Sequence, residues 1–339
     1  MSFDEIAGQR RVKSILRAAL RRGRVPHALL FVGPPGVGKR RTAVVLAQAL
    51  NCLERRDDAC GACPSCRAIE NGNHPKEKGI HPDVIEIVLE KNKSGEPKSE
   101  LSIDQFRDLK QLAYLRPFIG RRRVFFWKVD LMSSDAVHSI LKVLEEPPAT
   151  TTLILTSENP DLVLPTIKSR CQTLVFGPVA GEEIARALRG RGLDEERARL
   201  LALVLRGNLD KALELDADEV DRLRAETWSF FSGLAADGGS AAFLRRFAFR
   251  RRKEVKDDLA EALDLIGAFA RDLVLLQEGG PARLLLNPDY QAQLGDLAAR
   301  AVSGTGLKLL AAVAGARAGL DRKVQPGLLV SAFAARMIG

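Results

Sequence analysis

Apolar positions in the first half of the chain come in short, unbroken runs. These are Ala28–Val32 (ALLFV), Asp83–Val88 (DVIEIV), Arg123–Trp127 (RVFFW), Thr152–Thr156 (TLILT) and Thr173–Phe176 (TLVF). Runs this short and this apolar predict strands of a sheet buried on both faces. Between them apolar residues recur at helical spacing. Ala43, Leu46, Ala47 and Leu50 form one such face, and Ile103, Phe106, Leu109 and Leu112 form another. Ser102, with Gln105 three residues on, opens the second helix as a capping box. A third helix is predicted from about Ser134 to Glu146, where Pro147 and Pro148 prevent its continuation. Strand–helix alternation of this kind predicts an α/β domain built on a doubly wound parallel sheet.

Around Pro178 the pattern changes. Strand candidates vanish, and Ala, Leu, Arg and Glu recur with helical periodicity. Short helices are predicted near 181–190, 194–206 and 208–215, too small for a core of their own. A break at Leu215–Val220 (LDADEV) starts a longer helical tract to the end of the sequence. Three units follow: an α/β domain over 1–178, a small helical domain over 179–217 and an all-helical domain over 218–339. The polar segment Glu90–Glu100 (EKNKSGEPKSE) is predicted to be a solvated loop.

Bulk properties narrow the function classes. No apolar run approaches the roughly 20 residues that cross a bilayer, and MSFDEIAGQRR at the N-terminus lacks an apolar signal segment. A cytoplasmic protein without a membrane partner is expected. The formal charge of +9 suggests polyanions or an acidic partner surface. Basic runs stand at Arg121–Arg123, Arg245–Arg246 and Arg250–Lys253. They read as solvated faces, without the interleaved aromatics of a base-stacking surface.

Two motifs carry chemistry. GPPGVGKRR (Gly33–Arg41) meets the phosphate-loop pattern at Gly33, Gly38 and Lys39, and Gly36 and Gly38 would let backbone N–H groups cradle phosphates. The loop follows a strand and precedes a helix, the context this motif requires. Where a Ser or Thr hydroxyl should hold Mg²⁺, however, the chain has Arg40, a permanent cation without an acceptor. Thr42 points away around the helix. The next central strand ends in Lys128 and Val129, where a hydrolysing site needs an acidic pair, and Asp130 falls one residue past it. ATP or ADP binding is left open, and no Mg²⁺ site is expected. The second motif is Cys52, Cys60, Cys63 and Cys66, spaced C-x₇-C-x₂-C-x₂-C, with Gly61 allowing the turn. This density suits a structural, tetrahedral Zn²⁺; four reduced thiols, or His74 or His81 in place of one ligand, are the alternatives. Cys171 reads as core.

Taken together, HALLFVGPPGVGK, CGACPSCRAIENGNHP, SILKVLEEPP (Ser139–Pro148) and LPTIKSRC (Leu164–Cys171) resemble the AAA+ subunits of the bacterial DNA polymerase III clamp loader. Within that family the departures at Arg40, Lys128 and Val129 resemble the non-motor δ′ type. Asp210 in GNLDKAL, where the motor type has a nucleotide-sensing arginine, agrees. An active γ/τ-type ATPase is the alternative; a stand-alone zinc module binding nucleic acid is a third reading, disfavoured by the single cysteine cluster. The resemblance implies an AAA+ domain with a zinc-binding insertion, a helical lid and a C-terminal collar. It implies Ser169 and Arg170 as the motif whose arginine enters a neighbouring subunit's ATP site. It further implies γ/τ and δ subunits as partners in a hetero-pentamer, with the β sliding clamp and primer–template DNA reached through that assembly.

Overall fold

The apolar runs become a sheet in the computed structural model, which describes residues 1–55, 57–72, 81–92, 95–205, 207–214, 217–237, 254–322 and 324–338. Its strands are β1 (Ala28–Val32), β2 (Val84–Ile87), β3 (Arg123–Lys128), β4 (Thr151–Ser157) and β5 (Gln172–Val175). Their order is β2-β3-β4-β1-β5, and every pairing is parallel. Central β1 is buried along its whole length, as is β3 up to Lys128, which is why these segments lack polar alternation. Register sets Val32 beside Ser157 and Val175, and Lys128 beside Thr156. The carboxyl ends of β1, β3 and β4 therefore meet at one edge, where ligands of such sheets bind.

Helices α1 (Arg10–Arg21), α2 (Lys39–Asn51), α3 (Pro64–Gly72), α4 (Ile103–Ala113), α5 (Ser134–Glu145) and α6 (Pro165–Lys168) accompany the sheet. At the start of α4, Gln105 Oε1 accepts from the Ser102 N–H at 3.0 Å, the capping interaction expected from the sequence. Ser133 Oγ accepts from the Ala136 N–H at 3.3 Å to open α5, which ends just before the Pro147–Pro148 pair. Phe106 of α4 meets Trp127 of β3 edge-on, with ring centroids 5.4 Å apart, and locks that helix onto the sheet.

By contacts the chain divides into two compact units. One is Met1–Ala180 with Gly207–Asp210; the other is Gly181–Arg206 with Lys211–Gly339. Helices after the sheet are α7 (Gly181–Arg189), α8 (Glu195–Val204), α9 (Leu209–Glu214), α10 (Ala217–Asp237), α11 (Glu254–Gln277), α12 (Gln291–Arg300), α13 (Thr305–Asp321) and α14 (Pro326–Ile338). The second unit is wholly helical among the described residues. Although aromatics are scarce in this sequence, four gather in its core. Trp228 lies 5.2 Å from Phe269 and 5.0 Å from Tyr290, and Phe231 stacks on Phe269 at 5.5 Å. The fully buried Asp272 accepts from the backbone N–H groups of Leu286 (3.0 Å) and Asn287 (2.8 Å), tying the connection before α12 to α11. Among the described residues no single helix is long and apolar enough to cross a membrane. The basic runs at 245–246 and 250–253 lie outside the described residues.

Candidate functional site

The glycine loop leaves β1 and enters α2 through three positive-φ glycines: Gly33 at 154°, Gly36 at 67° and Gly38 at 86°. Two of them also permit close approach. A Cβ on Gly33 would stand 2.3 Å from the Phe176 carbonyl oxygen, and one on Gly36 would stand 1.5 Å from Asn208 Oδ1. The Asp210 N–H donates to the Gly36 carbonyl at 3.1 Å. The 207–210 segment is thus seated directly on the loop, a packing role for Gly36 that the sequence pattern alone does not reveal.

Lys39 is buried and folded onto the loop. Its Nζ donates to the carbonyls of Gly33 (2.7 Å) and Pro34. Burial pulls its pKa below the ordinary lysine value; Lys128 adds to this, while Glu158, Asp130 and Asp210 pull the other way. Lys128, Asp130 and Glu158, at or just past the ends of β3 and β4, thus lie within electrostatic reach of Lys39, as does Asp210 of the 207–210 segment. Lys128, at the end of β3, pairs with Glu158 at 2.8 Å. The carboxylate of Asp130 is occupied, accepting from Ser157 Oγ and from the Glu158 N–H, both at 2.7 Å. Val129 is buried. Arg40 turns to β2, where its Nε and Nη2 meet Glu86 Oε1 and Oε2 at 2.6 and 2.5 Å, a bidentate pair. Thr42 Oγ1 donates back to the Gly38 carbonyl at 2.7 Å and is fully buried, so it does not replace the missing hydroxyl.

The four cysteines converge. Sγ atoms of Cys52, Cys60, Cys63 and Cys66 all lie within 4.8 Å of one another, with Cys60 and Cys66 3.9 Å apart. Tetrahedral Zn²⁺ with Zn–S bonds near 2.3 Å requires sulfur–sulfur separations of about 3.8 Å. Backbone N–H groups already point at the sulfurs: Arg55 at Cys52 (3.3 Å) and Cys63 at Cys60 (3.2 Å). Such donors stabilise thiolates. Burial pushes the Cys52 thiol up, but donors from Arg55, Cys60 and Glu54 outweigh it and bring the pKa down; at Cys66 burial prevails and raises it. Gly61, at φ 71°, makes the turn between ligands. The donor set fits zinc, with all four positions filled by protein. His81 is not a fifth candidate: its Nδ1 accepts from the Asp83 N–H at 3.2 Å, and its Nε2 faces Ser65 Oγ at 3.3 Å. His74 lies outside the described residues. Cys171 packs against the sheet core, and burial raises its thiol to about 12.

Ser169 and Arg170 follow α6. Arg170 Nε donates to Glu145 Oε1 at 2.9 Å, Nη2 reaches the same oxygen, and Nη1 donates to the Thr166 carbonyl at 2.8 Å. Ser169 Oγ donates to that carbonyl at 3.2 Å and accepts from Arg170 Nη1 at 3.3 Å. The arginine is partly exposed and stands at the end of α5.

One basic run is only in part a solvated face: Arg121 is exposed, but its last arginine turns inward. Arg123 is 4% exposed and pairs with the fully buried Asp83 at 3.1 Å. Just before it, Tyr114 and Phe118 alternate with Arg116 and Arg121.

Residues 8–180 match the family described as DNA polymerase III, delta subunit. The delta′ subunit of DNA polymerase III from Bacillus subtilis is 31% identical over 286 residues, 84% of this chain and 82% of that protein. The gamma/tau subunit of Mycobacterium bovis is 35% identical over 177 residues, 52% of this chain and 28% of that protein. The tau subunit of Escherichia coli is 34% identical over 223 residues, 63% of this chain and 32% of that protein. Among solved structures, a gamma-subunit-related protein of DNA polymerase III from Thermotoga maritima aligns over 96% of this chain and 98% of that chain, with 16% identity and a TM-score of 0.42. Sheet, glycine loop, cysteine cluster and relatives agree: the chain belongs to the delta′ family of DNA polymerase III clamp-loader subunits.

Proposed function

We propose that the chain is a non-hydrolysing, δ′-type subunit that helps a clamp loader open the β sliding clamp and place it on primed DNA. The observation that carries this reading is the joint loss of every group a hydrolysing site needs for its metal. Arg40 is engaged with Glu86, Lys128 with Glu158, and Asp130 with Ser157 and the Glu158 backbone. One such change could be compensated; Arg40, Lys128 and Val129 together, with Asp130 already occupied, would leave Mg²⁺ without a ligand set. Asp210, whose charge reaches Lys39, would repel a triphosphate held at the loop.

What the chain keeps is Arg170. In this reading it serves in trans, leaving Glu145 for the γ-phosphate held by a neighbouring γ/τ subunit, with Ser169 supporting it. A guanidinium there neutralises charge that grows in the transition state. The four cysteines would hold Zn²⁺ as a structural staple joining the end of α2 to the start of α3, with no chemistry of its own. The C-terminal helices, 218–339, would form the collar that joins γ/τ and δ, and 179–217 the lid. DNA and the clamp would be met through the assembly.

Resemblance to gamma/tau proteins over half the chain supports the second reading, a motor ATPase. The two separate cleanly. Purified alone, the chain is expected to show no ATP turnover; turnover at about 1 s⁻¹ or faster, abolished by Lys39→Ala, would establish the motor instead. Co-purification with γ/τ and δ, and an ATPase assay of that complex with clamp and primed DNA, tests the assembly itself.

A further inference from the structure

The cysteine cluster and the glycine loop are joined by one short piece of chain, residues 3–9. Asp58 lies in the spacer between Cys52 and Cys60 and is buried. Its Oδ1 accepts from the Phe3 N–H at 3.1 Å and from the Ala59 N–H at 2.7 Å, and its Oδ2 accepts from Arg17 Nη2 at 2.6 Å. Phe3 is fully buried, with the Arg17 guanidinium 5.8 Å from its ring centroid. Arg17 also pairs with Asp4 at 2.9 Å. A buried ring and a buried carboxylate thus pin this segment to the cysteine spacer, and breaking either contact would strand a desolvated polar group.

At its other end the same segment holds the glycine loop. Ile6 is buried, and a Cβ on Gly38 would stand 3.6 Å from its Cγ2, an ordinary packing contact. Lys13 Nζ donates to the Ile6 carbonyl at 2.8 Å. Gln9 Nε2 donates to the carbonyls of Val37 (3.3 Å) and Gly177 (2.7 Å), and its Oε1 accepts from the Gly177 N–H at 3.2 Å. The Gln9 backbone is left-handed, at φ 50° and ψ 33°, and among the described residues no other non-glycine residue has a positive φ. Such a conformation is unfavourable by itself and persists where the surrounding contacts over-determine it. Here the side-chain amide makes those contacts, on the loop and on the chain just past β5. Between the two ends stands a single 3-10 turn, Phe3–Glu5, closed by the Ile6 N–H onto the Phe3 carbonyl at 3.3 Å, which leaves little slack.

The spacer is the part of this path that a metal controls. Cys52 and Cys60 flank Asp58, so ligation of both to one ion closes the spacer into a small ring of chain. Free thiols impose no such closure, and the spacer then regains conformational freedom. We propose that residues 3–9 transmit the state of the cysteine cluster to the glycine loop, so that metal at the four cysteines fixes the conformation of Val37, Gly38 and Gly177 through Asp58 and Gln9. Packed side chains and hydrogen bonds in unbroken sequence are the physical means of such coupling. It rests on the four cysteines holding zinc, and it gives the cluster a second role: besides fastening α2 to α3, the cluster positions the loop. Asp58 and Gln9 are positioning residues in this scheme and touch no ligand.

Hydrogen exchange of the full chain, before and after zinc is withdrawn with a chelator, tests the coupling; metal analysis follows the zinc content. The reporters are the amides of Phe3, which donates to Asp58, and of Gly177, which donates to Gln9; the amides of β3 are the control. Withdrawal is expected to quicken exchange at both reporters by about tenfold or more while β3 is unchanged. Asp58→Ala should keep about one equivalent of zinc and exchange fast at both reporters whether or not the metal is present. Gln9→Ala should free Gly177 alone, with Phe3 still responding to withdrawal, so the two ends of the path are read in separate variants. Zinc-loaded wild type whose Gly177 amide ignores withdrawal would overturn the coupling and leave the zinc staple standing. So would an Asp58→Ala chain in which Gly177 still responds as in wild type. Quickening that includes β3 equally also overturns it, because the metal then supports the domain as a whole. A chain that carries no zinc sinks the staple and the coupling together.

Discussion

Arg170 rests on Glu145 through two of its nitrogens, and on the Thr166 carbonyl through the third. Within the chain the arginine is therefore a helix cap and an ion pair at once. Its pair is weakly held: the side chains are 31% and 47% exposed, and exposed pairs contribute about 0–1 kcal/mol. An arginine aimed at a γ-phosphate contributes far more, on the order of 10³–10⁵ in rate. If Arg170 serves in trans as proposed, a contact this weak would not oppose it.

Removing the two partners should accordingly have very different consequences. Arg170→Ala, in a clamp loader reconstituted with γ/τ and δ, is expected to lower steady-state ATPase activity about 10³-fold while the complex still elutes intact. Glu145→Gln is expected to change the same activity by less than about fivefold, the equivalent of 1 kcal/mol. Equal losses from both would mean that Glu145 positions the arginine, and unchanged activity in Arg170→Ala would exclude the finger.

For nucleotide, the prediction concerns magnesium. With Arg40 bound to Glu86 and Lys128 bound to Glu158, the cation is expected to gain no protein ligand at the loop. Titration calorimetry with ATP should give the same affinity, or the same lack of it, with Mg²⁺ and with EDTA. Tenfold tighter binding in Mg²⁺ would show that the site retains a metal ligand outside these residues.

How far the sequence reached depends on the range of the interaction. The five strands, the capping box at Ser102 and the end of α5 before Pro147 were legible because local periodicity and backbone chemistry determine them. Spacing likewise brought the four cysteines together, since Cys60, Cys63 and Cys66 are nearly contiguous. Side-chain pairs between distant elements left no such trace. Arg40 reads as a substitution that removes a hydroxyl, yet nothing local says that Glu86, on another strand, receives it. Gly36 looked like a phosphate ligand and also accommodates Asn208. Arg123 looked like part of a solvated run, but strand β3 turns it inward onto Asp83. The alternation of Tyr114 and Phe118 with Arg116 and Arg121 lies in the sequence itself, just ahead of the arginine run that starts at Arg121.

Zinc gives a prediction with a direct chemical readout. Protein prepared under reducing conditions should carry about one equivalent of zinc, and Cys63→Ser or Cys66→Ser should lower that content and the thermal midpoint together. Protons compete with the metal for thiolates, so affinity must fall as the pH is lowered. Zinc release measured by a colorimetric chelator should therefore accelerate toward acid pH. A metal content that stays at zero in unoxidised protein, with no change in either variant, would leave the cluster as four thiols.

Asp83, whose carboxylate accepts from the N–H groups of Phe118, Ile119 and Gly120, ties the sheet to the loop before β3, and its titration should be visible in stability. Burial alone would push its carboxyl upward; the three loop N–H groups and Arg123 together outweigh burial and hold the pKa below the usual carboxylate value. A group whose folded pKa is depressed contributes stability that is complete above its unfolded pKa, near 3.9. That contribution is lost as the pH falls through the lower, folded value. Wild type should consequently lose thermal stability below about pH 4, and Asp83→Asn should lack that component of the loss. At neutral pH the same substitution strands the buried Arg123 without its counter-charge, a change that costs about 3–5 kcal/mol. Amides at Phe118, Ile119 and Gly120 lose their charged acceptor, so their hydrogen exchange should quicken in Asp83→Asn before the sheet amides of β3 respond. Exchange that quickens equally across β3 and the loop would mean that Asp83 supports the domain as a whole and not this loop in particular.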